Sequence, residues 1–99
     1  MHTEHRKRVK NKIVSLGGDA LCKHEKLEAL LFYSIPRVNT NEQAHRLMDT
    51  FGSLGGVFEA DIGALTRVEG IGMNTAILIK LVYSIMCDIL KDNSTSIAK

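Results

Sequence analysis

The chain has 99 residues, a net charge of +2 and 44% hydrophobic residues, with 5% aromatics and no Trp. This length suits one small domain and leaves no room for a large enclosed catalytic cleft, and the apolar content argues against wholesale disorder. The charge is uneven, since residues 1–26 carry seven Lys or Arg and three acids, whereas residues 27–99 carry six basic and eight acidic residues. Attraction for a polyanion therefore depends mainly on the N-terminal segment.

Local patterns predict an all-α protein, a small bundle of five to six helices with short connections. Glycines break the helical pattern between several of these helices, and Pro36 stops the second of them. Thr40 or Asn41 is expected to N-cap the third helix, and Asp61 the fifth. In chain order the predicted helices are 4–16, 23–34, 42–51, 62–68 and 73–90, with a short helix or turn at 54–59 and a flexible polar tail at 91–99.

The first predicted helix is basic and amphipathic. Val9, Ile13 and Leu16 fall on one face at helical spacing and are expected to face the core, while the basic residues surround them. Together with the turn after it, this helix forms the N-terminal part of a single domain, residues 4–22.

Gly70-Ile71-Gly72 lies between the last two predicted helices and predicts a sharp reversal of the chain. Glycine adopts backbone angles that residues with a Cβ avoid, Ile71 is expected to insert into the core, and Ala76 is small enough for close helix packing. Such a turn exposes backbone N–H groups beside a helix N-terminus, where a phosphate binds well. The alternative is a tight turn whose glycines serve packing alone.

The flanks of this turn make the pattern more specific than a lone G-x-G. Residues 65–78, LTRVEGIGMNTAIL, match the helix-hairpin-helix pattern in the two glycines, the alanine and the flanking apolar positions. A helix, a tight connector and a second helix also occur at 23–51. The sequence therefore predicts a tandem helix-hairpin-helix arrangement, with a degenerate first hairpin at 23–51 and a second hairpin at 61–90.

Five segments make the chain resemble the N-terminal region of RadC-like proteins: HRKR at 5–8, HEKLEALLFYSIPR at 24–37, NTN at 39–41, FGSL at 51–54 and GIG at 70–72. The similarity extends over residues 5–82. Members of that family join this helical region to a C-terminal JAB/MPN-type domain that resembles zinc metallopeptidases. The resemblance implies that the helical part binds DNA.

The metallopeptidase-like domain of that family has no counterpart in the chain. Its zinc signature needs a His-x-His with a downstream Asp and an upstream Glu, whereas the four histidines here form no His-x-His. His2, His5, His24 and His45 are instead expected to take surface or capping roles. We expect an isolated N-terminal domain with no catalytic activity, no metal and no cofactor.

The second predicted hairpin carries little charge of its own. Met73, Asn74 and Thr75 follow its second glycine, and Glu69 adds repulsion, so the cations must come from elsewhere, above all from the basic run at 6–12. The residues predicted to contact DNA are Gly70, Ile71, Gly72, Asn74, Thr75 and Lys80 in the second hairpin, Arg6, Lys7, Arg8, Lys10 and Lys12 in the basic run, and Arg37, Asn39, Thr40 and Asn41 in the first connector. The alternatives are a solvated face for the basic run and a structural role for the connector.

The last predicted helix is more apolar than the core of one small domain requires. It is either a central buried helix or a docking face for a C-terminal JAB-type domain or a second copy. Lys80 and Asp88 interrupt its apolar run, so no membrane span is expected. The charged N-terminus lacks the apolar region of a secretory signal, and Cys22 and Cys87 are expected to be reduced thiols of a cytoplasmic protein.

The function predicted from the sequence is sequence-independent binding of the DNA backbone, through hairpin N–H groups that contact phosphates. The rival interpretation is a protein-interaction module that positions a JAB-type domain, with a purely structural hairpin. The oligomeric state is left open.

Overall fold

The computed structural model describes residues 2–36 and 39–98, with side chains for 4–36 and 39–94. Within these residues the chain forms six α-helices and no strand, which confirms the predicted all-α class. The helices, numbered in chain order, are α1 (His2–Leu16), α2 (Lys23–Leu31), α3 (Thr40–Phe51), α4 (Leu54–Glu59), α5 (Ile62–Thr66) and α6 (Met73–Ala98), with a 3-10 turn at Gly18–Ala20.

Side-chain caps decide where three of these helices begin. Asn39 Oδ1 accepts a hydrogen bond from the Asn41 N–H at 3.0 Å. Asn39 is therefore the N-cap of α3, and the prediction of Thr40 or Asn41 is wrong by one residue, because the asparagine before the helix is at least as good a capping residue. Ser53 caps α4 in the same way, and Asp61 caps α5 as predicted.

The second helix ends at Leu31, three residues before its predicted end at 34. Pro36 has no N–H to donate to the C=O of Phe32, which a continuing helix would pair with it. The Arg6 guanidinium of α1 supplies the missing donors, since it donates to the C=O of Phe32 at 3.1 Å and to that of Ile35 at 2.5 Å. A side chain of α1 thus satisfies carbonyl groups just after the end of α2.

The last two helices also differ from their predicted lengths. α5 ends at Thr66 rather than at 68, because the Val68 N–H bonds to the C=O of Leu65 at 3.1 Å in a tighter turn. α6 continues to Ala98 instead of ending at 90, since residues 91–98 contain no glycine or proline to stop a helix. The segment predicted as a tail is therefore helical as far as Ala98.

The main core lies among α2 to α6, and a smaller apolar group joins α1 to α2. The buried residues of the main core are Leu27, Leu31, Ala44, Leu47, Val57, Leu65, Val68, Ile71, Ala76 and Ile79. The smaller group consists of Val9, Leu21, Ala29 and Phe32, with Ile13 packed against it. Leu16, predicted to face the core, is 69% exposed, because α1 packs through its middle turns and the chain reverses immediately after Leu16.

A buried carboxylate joins the first three helices. Glu28 of α2 is 3% exposed, and its Oε1 lies 2.7 Å from His5 Nε2 of α1. Its Oε2 accepts from Asn41 Nδ2 at 3.2 Å, and its backbone C=O accepts from Thr40 Oγ1 at 3.1 Å. Because a buried charged group is stable only with such partners, these polar contacts position α1 and α3 against α2.

Candidate nucleic-acid interface

The segment between α5 and α6, residues 69–72, is here called the glycine turn. The Ile71 N–H bonds to the C=O of Val68 at 3.0 Å, and the C=O of Gly72 accepts from the Ala76 N–H at 3.1 Å, so Gly72 is the N-cap of α6. Ile71 and Ala76 are both buried in the main core. The predicted insertion of Ile71 and the close packing at Ala76 are confirmed.

Backbone strain and packing require glycine at only one of the two glycine positions of this turn. Gly70 has a φ of +88°, and a Cβ on it would lie 3.0 Å from Gln43 Nε2, so backbone strain and packing both require glycine there. Gly72 has no left-handed φ, and a Cβ on it would meet no atom of the described residues within 4 Å. Backbone strain and packing therefore explain why residue 70 is glycine, whereas neither explains the glycine at position 72.

The absence of a side chain on Gly72 leaves the N-terminus of α6 open. Helical geometry gives the N–H groups of Met73, Asn74 and Thr75 no partner within the helix, and a glycine N-cap has no side chain to accept from them. These residues line a surface cavity of about 390 Å³ together with Gly70, Gly72 and the segment Ser34, Ile35 and Pro36. The site can therefore offer several backbone donors to an anion.

The glycine turn and residues 34–36 lie side by side, although more than 30 residues separate them in the sequence. Ser34 Oγ is 3.0 Å from Thr75 Oγ1, and this hydrogen bond fixes the end of α2 against the first turn of α6. Thr75 is buried, so its hydroxyl serves this contact, while Asn74 is exposed at the cavity. The pairing is a long-range contact that the sequence pattern did not specify.

The described residues Asn39, Thr40 and Asn41 of the first connector each have a partner within the fold. Thr40 is 1% exposed and donates to Glu28, which leaves no hydroxyl surface for a phosphate and contradicts the predicted role of Thr40 in DNA contact. Asn39 and Asn41 have structural partners in the α3 cap and at Glu28. Arg37, also predicted to contact DNA, lies outside the described residues.

Two cations of the basic run reach the segment that faces the glycine turn. Arg6 donates to the C=O of Ile35 and lies 4.8 Å from the Phe32 ring centroid, and Lys10, one helical turn later, lies 5.3 Å from the Tyr33 ring centroid. The other three predicted cations of the run are exposed on α1: Lys7, Arg8 and Lys12. Positive charge from α1 is thus present beside the cavity, with Arg6 held in a structural role as well.

Lys80, predicted to contact DNA, is directed toward α4. Its ammonium donates to the C=O of Phe58 at 2.8 Å and lies 4.8 Å from the Tyr83 ring centroid. Because Lys80 follows Gly72 by two helical turns, its Cα lies well along α6 from the open helix N-terminus. Its side chain therefore contributes to packing between α4 and α6.

Arg46 is a cation near the glycine turn that sequence reasoning missed. Its guanidinium donates to the C=O of Glu69 at 3.4 Å and lies 3.9 Å from the carboxylates of Glu42 and Glu69. The positive charge of Arg46 therefore offsets the repulsion expected between Glu69 and a phosphate. No sequence signal could have found this contact, because Arg46 sits on α3, 23 residues before Glu69.

One side of α6 leaves apolar side chains exposed, from Met73 to Leu90. Thr75, Ala76 and Ile79 are buried in its first turns, whereas the exposed apolar residues along the helix are Met73, Ile77, Leu81, Ile85, Met86, Ile89 and Leu90. The interpretation as a central buried helix therefore holds only for the first two turns.

The segment Met73–Ser94 is long and apolar enough to span a membrane, with a mean hydropathy of 1.6 and 17% of it buried, but one such helix is a weak indication. The absence of a membrane span stays a prediction.

No group of three or more His, Cys, Asp or Glu side chains within the described ranges is placed to hold a metal ion. His24 stacks on His45 with ring centroids 4.8 Å apart, and Cys22 Sγ lies 3.2 Å from His24 Nδ1. The Cys22 N–H donates to Glu25 Oε1 at 3.0 Å, and this hydrogen bond lowers the pKa of the Glu25 carboxyl. These contacts stabilise the start of α2 in the manner of a capping box.

This geometry defines the class of the protein: it is a small all-α domain with an open helix N-terminus. Its relatives include UPF0758 proteins of Fusobacterium nucleatum (38% identical over 88 residues, 89% of this chain and 38% of the relative) and of Ruegeria pomeroyi (41% over 69 residues, 70% of this chain and 31% of the relative). A UPF0758 protein of Rhodobacter capsulatus is 38% identical over 64 residues, 65% of this chain and 30% of the relative.

The chain thus has homologues among the UPF0758 proteins of the RadC family, in agreement with the broad resemblance found in the sequence. It spans about a third of the length of these curated relatives. No protein-family model matches the chain, and no solved structure matches it.

Proposed function

We propose that this chain is a helix-hairpin-helix region of a RadC-like protein and binds DNA without sequence preference, through a phosphate held at the glycine turn. The observation that carries the proposal is Gly72, which neither backbone strain nor packing requires and which caps the open N-terminus of α6. A residue with a side chain at this position would stand between a phosphate and the backbone N–H groups. Glycine permits the close approach that such contacts need.

The energy of binding has two parts in this proposal. Backbone N–H groups of Met73 and Asn74, with the dipole of the long α6 helix, hold one phosphate in place. Lys10 supplies positive charge, Arg46 offsets the negative charge of Glu69, and further cations on α1 contact neighbouring phosphates and release counterions. Because none of these groups reads a base edge, the binding carries no sequence specificity.

Fluorescence anisotropy with a labelled blunt duplex tests the proposal. The affinity is expected to fall as the salt concentration rises, with a slope of about 0.9 in log–log form for each phosphate neutralised. Gly72→Asp is expected to weaken binding much more than Gly18→Asp, which changes the charge equally at another exposed glycine with free space around it. No binding by the wild-type protein at low salt would refute the proposal.

A second candidate function is docking of a protein partner, such as a C-terminal JAB-type domain, on the exposed apolar side of α6. Ile85, Ile89 and Leu90 favour it, because contiguous exposed apolar side chains are typical of interaction surfaces. Calorimetry with a JAB-type domain of a RadC-like protein is expected to show binding that Ile89→Glu abolishes. Val14→Glu, at an exposed apolar residue of α1, is the control and leaves binding intact. Equal binding by wild type and Ile89→Glu would exclude this surface.

A further inference from the structure

The last helix of the chain projects from the globular part. α6 has 26 residues, which corresponds to about 39 Å of helix, and among its described side chains none after Ile79 is buried. The radius of gyration is 14.6 Å, whereas a compact chain of this length has about 12.6 Å. The second half of α6 therefore lies outside the main core.

The projecting helix leaves the chain with more surface than a monomer of its size normally has. The solvent-accessible surface is 6570 Å², whereas folded monomers of 11.0 kDa expose about 5600 Å². The surplus is thus about 1000 Å². A standard protein–protein interface buries about 800 Å² on each partner, so the surplus has the size of the surface that one partner covers.

Four apolar side chains form a row along the exposed side of α6. They recur at every fourth residue, each is 47–55% exposed, and the row is here called the α6 stripe: Ile77, Leu81, Ile85 and Ile89. Side chains four residues apart form a ridge on a helix, and the commonest class of helix packing interdigitates such ridges from two helices whose axes cross at about 50°. The α6 stripe therefore fits a second helix that carries the same row.

The charges of α6 favour a second copy of the chain over a lipid surface as the occupant of this stripe. The helix carries Lys80 and Lys91 against Asp88 and Asp92, so its side chains are neutral in sum and two copies do not repel each other. Helices that lie on membranes are rich in Lys and Arg on their polar face, whereas α6 has as many acids as bases. An uncharged aliphatic row is typical of interfaces between identical chains, which are more apolar than other interfaces.

We propose that two copies of this chain form a symmetric dimer through their α6 stripes, with the two helices antiparallel. Such a contact uses the same residues on both copies and closes with two chains. The antiparallel direction places the two globular parts at opposite ends of the helix pair, where they do not collide. The inference goes beyond DNA binding, and it assigns the stripe to a second copy instead of the JAB-type domain of the second candidate function.

Sedimentation equilibrium of the 99-residue chain over a range of micromolar concentrations tests the dimer. Wild type is expected to approach twice the 11.0 kDa mass of the single chain as the concentration rises. Ile85→Glu is expected to weaken self-association about a hundredfold or more, because each dimer would then bury two carboxylates without partners. Ile85→Leu keeps an apolar side chain of the same size and is expected to remain dimeric.

Val14→Glu is the matched control, because it makes the same change of charge at an exposed apolar residue of α1, outside the α6 stripe. It is expected to remain dimeric, and circular dichroism is expected to show the helix content of wild type in every variant, since both positions lie outside the main core. A wild type that stays monomeric throughout would overturn the inference, whether that monomer binds phosphatidylcholine vesicles, a JAB-type domain or neither. Equal weakening by Ile85→Glu and Val14→Glu would overturn it too. Because the measurement contains no DNA, either result leaves the proposed function standing.

Discussion

Replacing Gly72 by Asp is expected to stabilise the fold while it weakens binding to DNA. Gly72 is the N-cap of α6, its φ suits any residue, and a Cβ there meets free space. An aspartate at this position can accept hydrogen bonds from the N–H groups of the first turn of α6. The same N–H groups are the ones that the proposed phosphate needs, so stability and binding compete for one set of donors.

The expected change in stability is small and favourable. A capping carboxylate exceeds glycine by a few tenths of a kcal/mol, and a negative charge at a helix N-terminus adds about 0.3–1 kcal/mol. Loss of backbone freedom in the unfolded chain adds about 0.4–1 kcal/mol. Gly72→Asp is therefore expected to raise the free energy of unfolding by about 1–2 kcal/mol.

The expected change in binding is larger and opposite in sign. Each hydrogen bond to a charged group contributes about 1.5–3 kcal/mol, and the carboxylate both occupies the donors and repels the phosphate. A loss of one such bond corresponds to about a tenfold to hundredfold weaker affinity for DNA at low salt.

Urea unfolding followed by circular dichroism, and anisotropy with a labelled duplex, measure the two effects on the same protein samples. Gly18→Asp adds the same charge at a glycine that also has free space around it, but it lies far along the chain from the glycine turn. Equal loss of affinity in both variants would show that only net charge matters. That result would refute the role of the open α6 N-terminus.

Three further predictions concern the fold that positions the site. Gly70→Ala places a Cβ at a φ of +88° and is expected to cost about 1–2 kcal/mol of unfolding free energy; an unchanged urea midpoint would contradict the strain argument. Glu28→Ala leaves the polar groups of His5 and Asn41 without their buried acceptor and is expected to cost about 2–4 kcal/mol, with Glu28→Gln costing less; equal losses in the two variants would show that shape alone matters. The pKa of Glu25 is lowered from 4.5 by the Cys22 N–H, so its ionised form stabilises the fold above pH 4.5, and this contribution disappears as the pH falls through the lowered pKa. The stability difference between wild type and Glu25→Gln is therefore expected to shrink in acid, and a difference independent of pH would contradict it.

Much of the fold follows from residues that act over one or two turns of chain. Asp61 marked the start of α5, and the small Ala76 and the apolar Ile71 marked the packing of α6 against the core. Such features can be predicted from the sequence because capping and helical periodicity involve residues that are neighbours along the chain. The tandem hairpin arrangement stays a prediction, since the helices are present but no comparison identifies the motif.

The sequence did not predict contacts between distant residues. Pro36 ends the helical pattern of α2 locally, but the C=O groups of Phe32 and Ile35 accept from Arg6 of α1. Thr40 resembled a surface residue at a helix start, yet it is buried against Glu28 of α2. The sequence near Arg6 or Thr40 does not indicate these partners, because they lie 12 to 29 positions away.

The sequence alone determined the all-α class, the placement of most helices and the glycine turn before α6. Those features depend on local backbone preference and on the spacing of apolar residues, which the chain carries at every position. Only the tertiary structure decided that Gly72 lacks a packing reason, that Ser34 bonds to Thr75, and that Arg46 lies beside Glu69. These depend on which surfaces meet when the helices pack, and helix packing brings together residues whose separation in sequence gives no sign of contact.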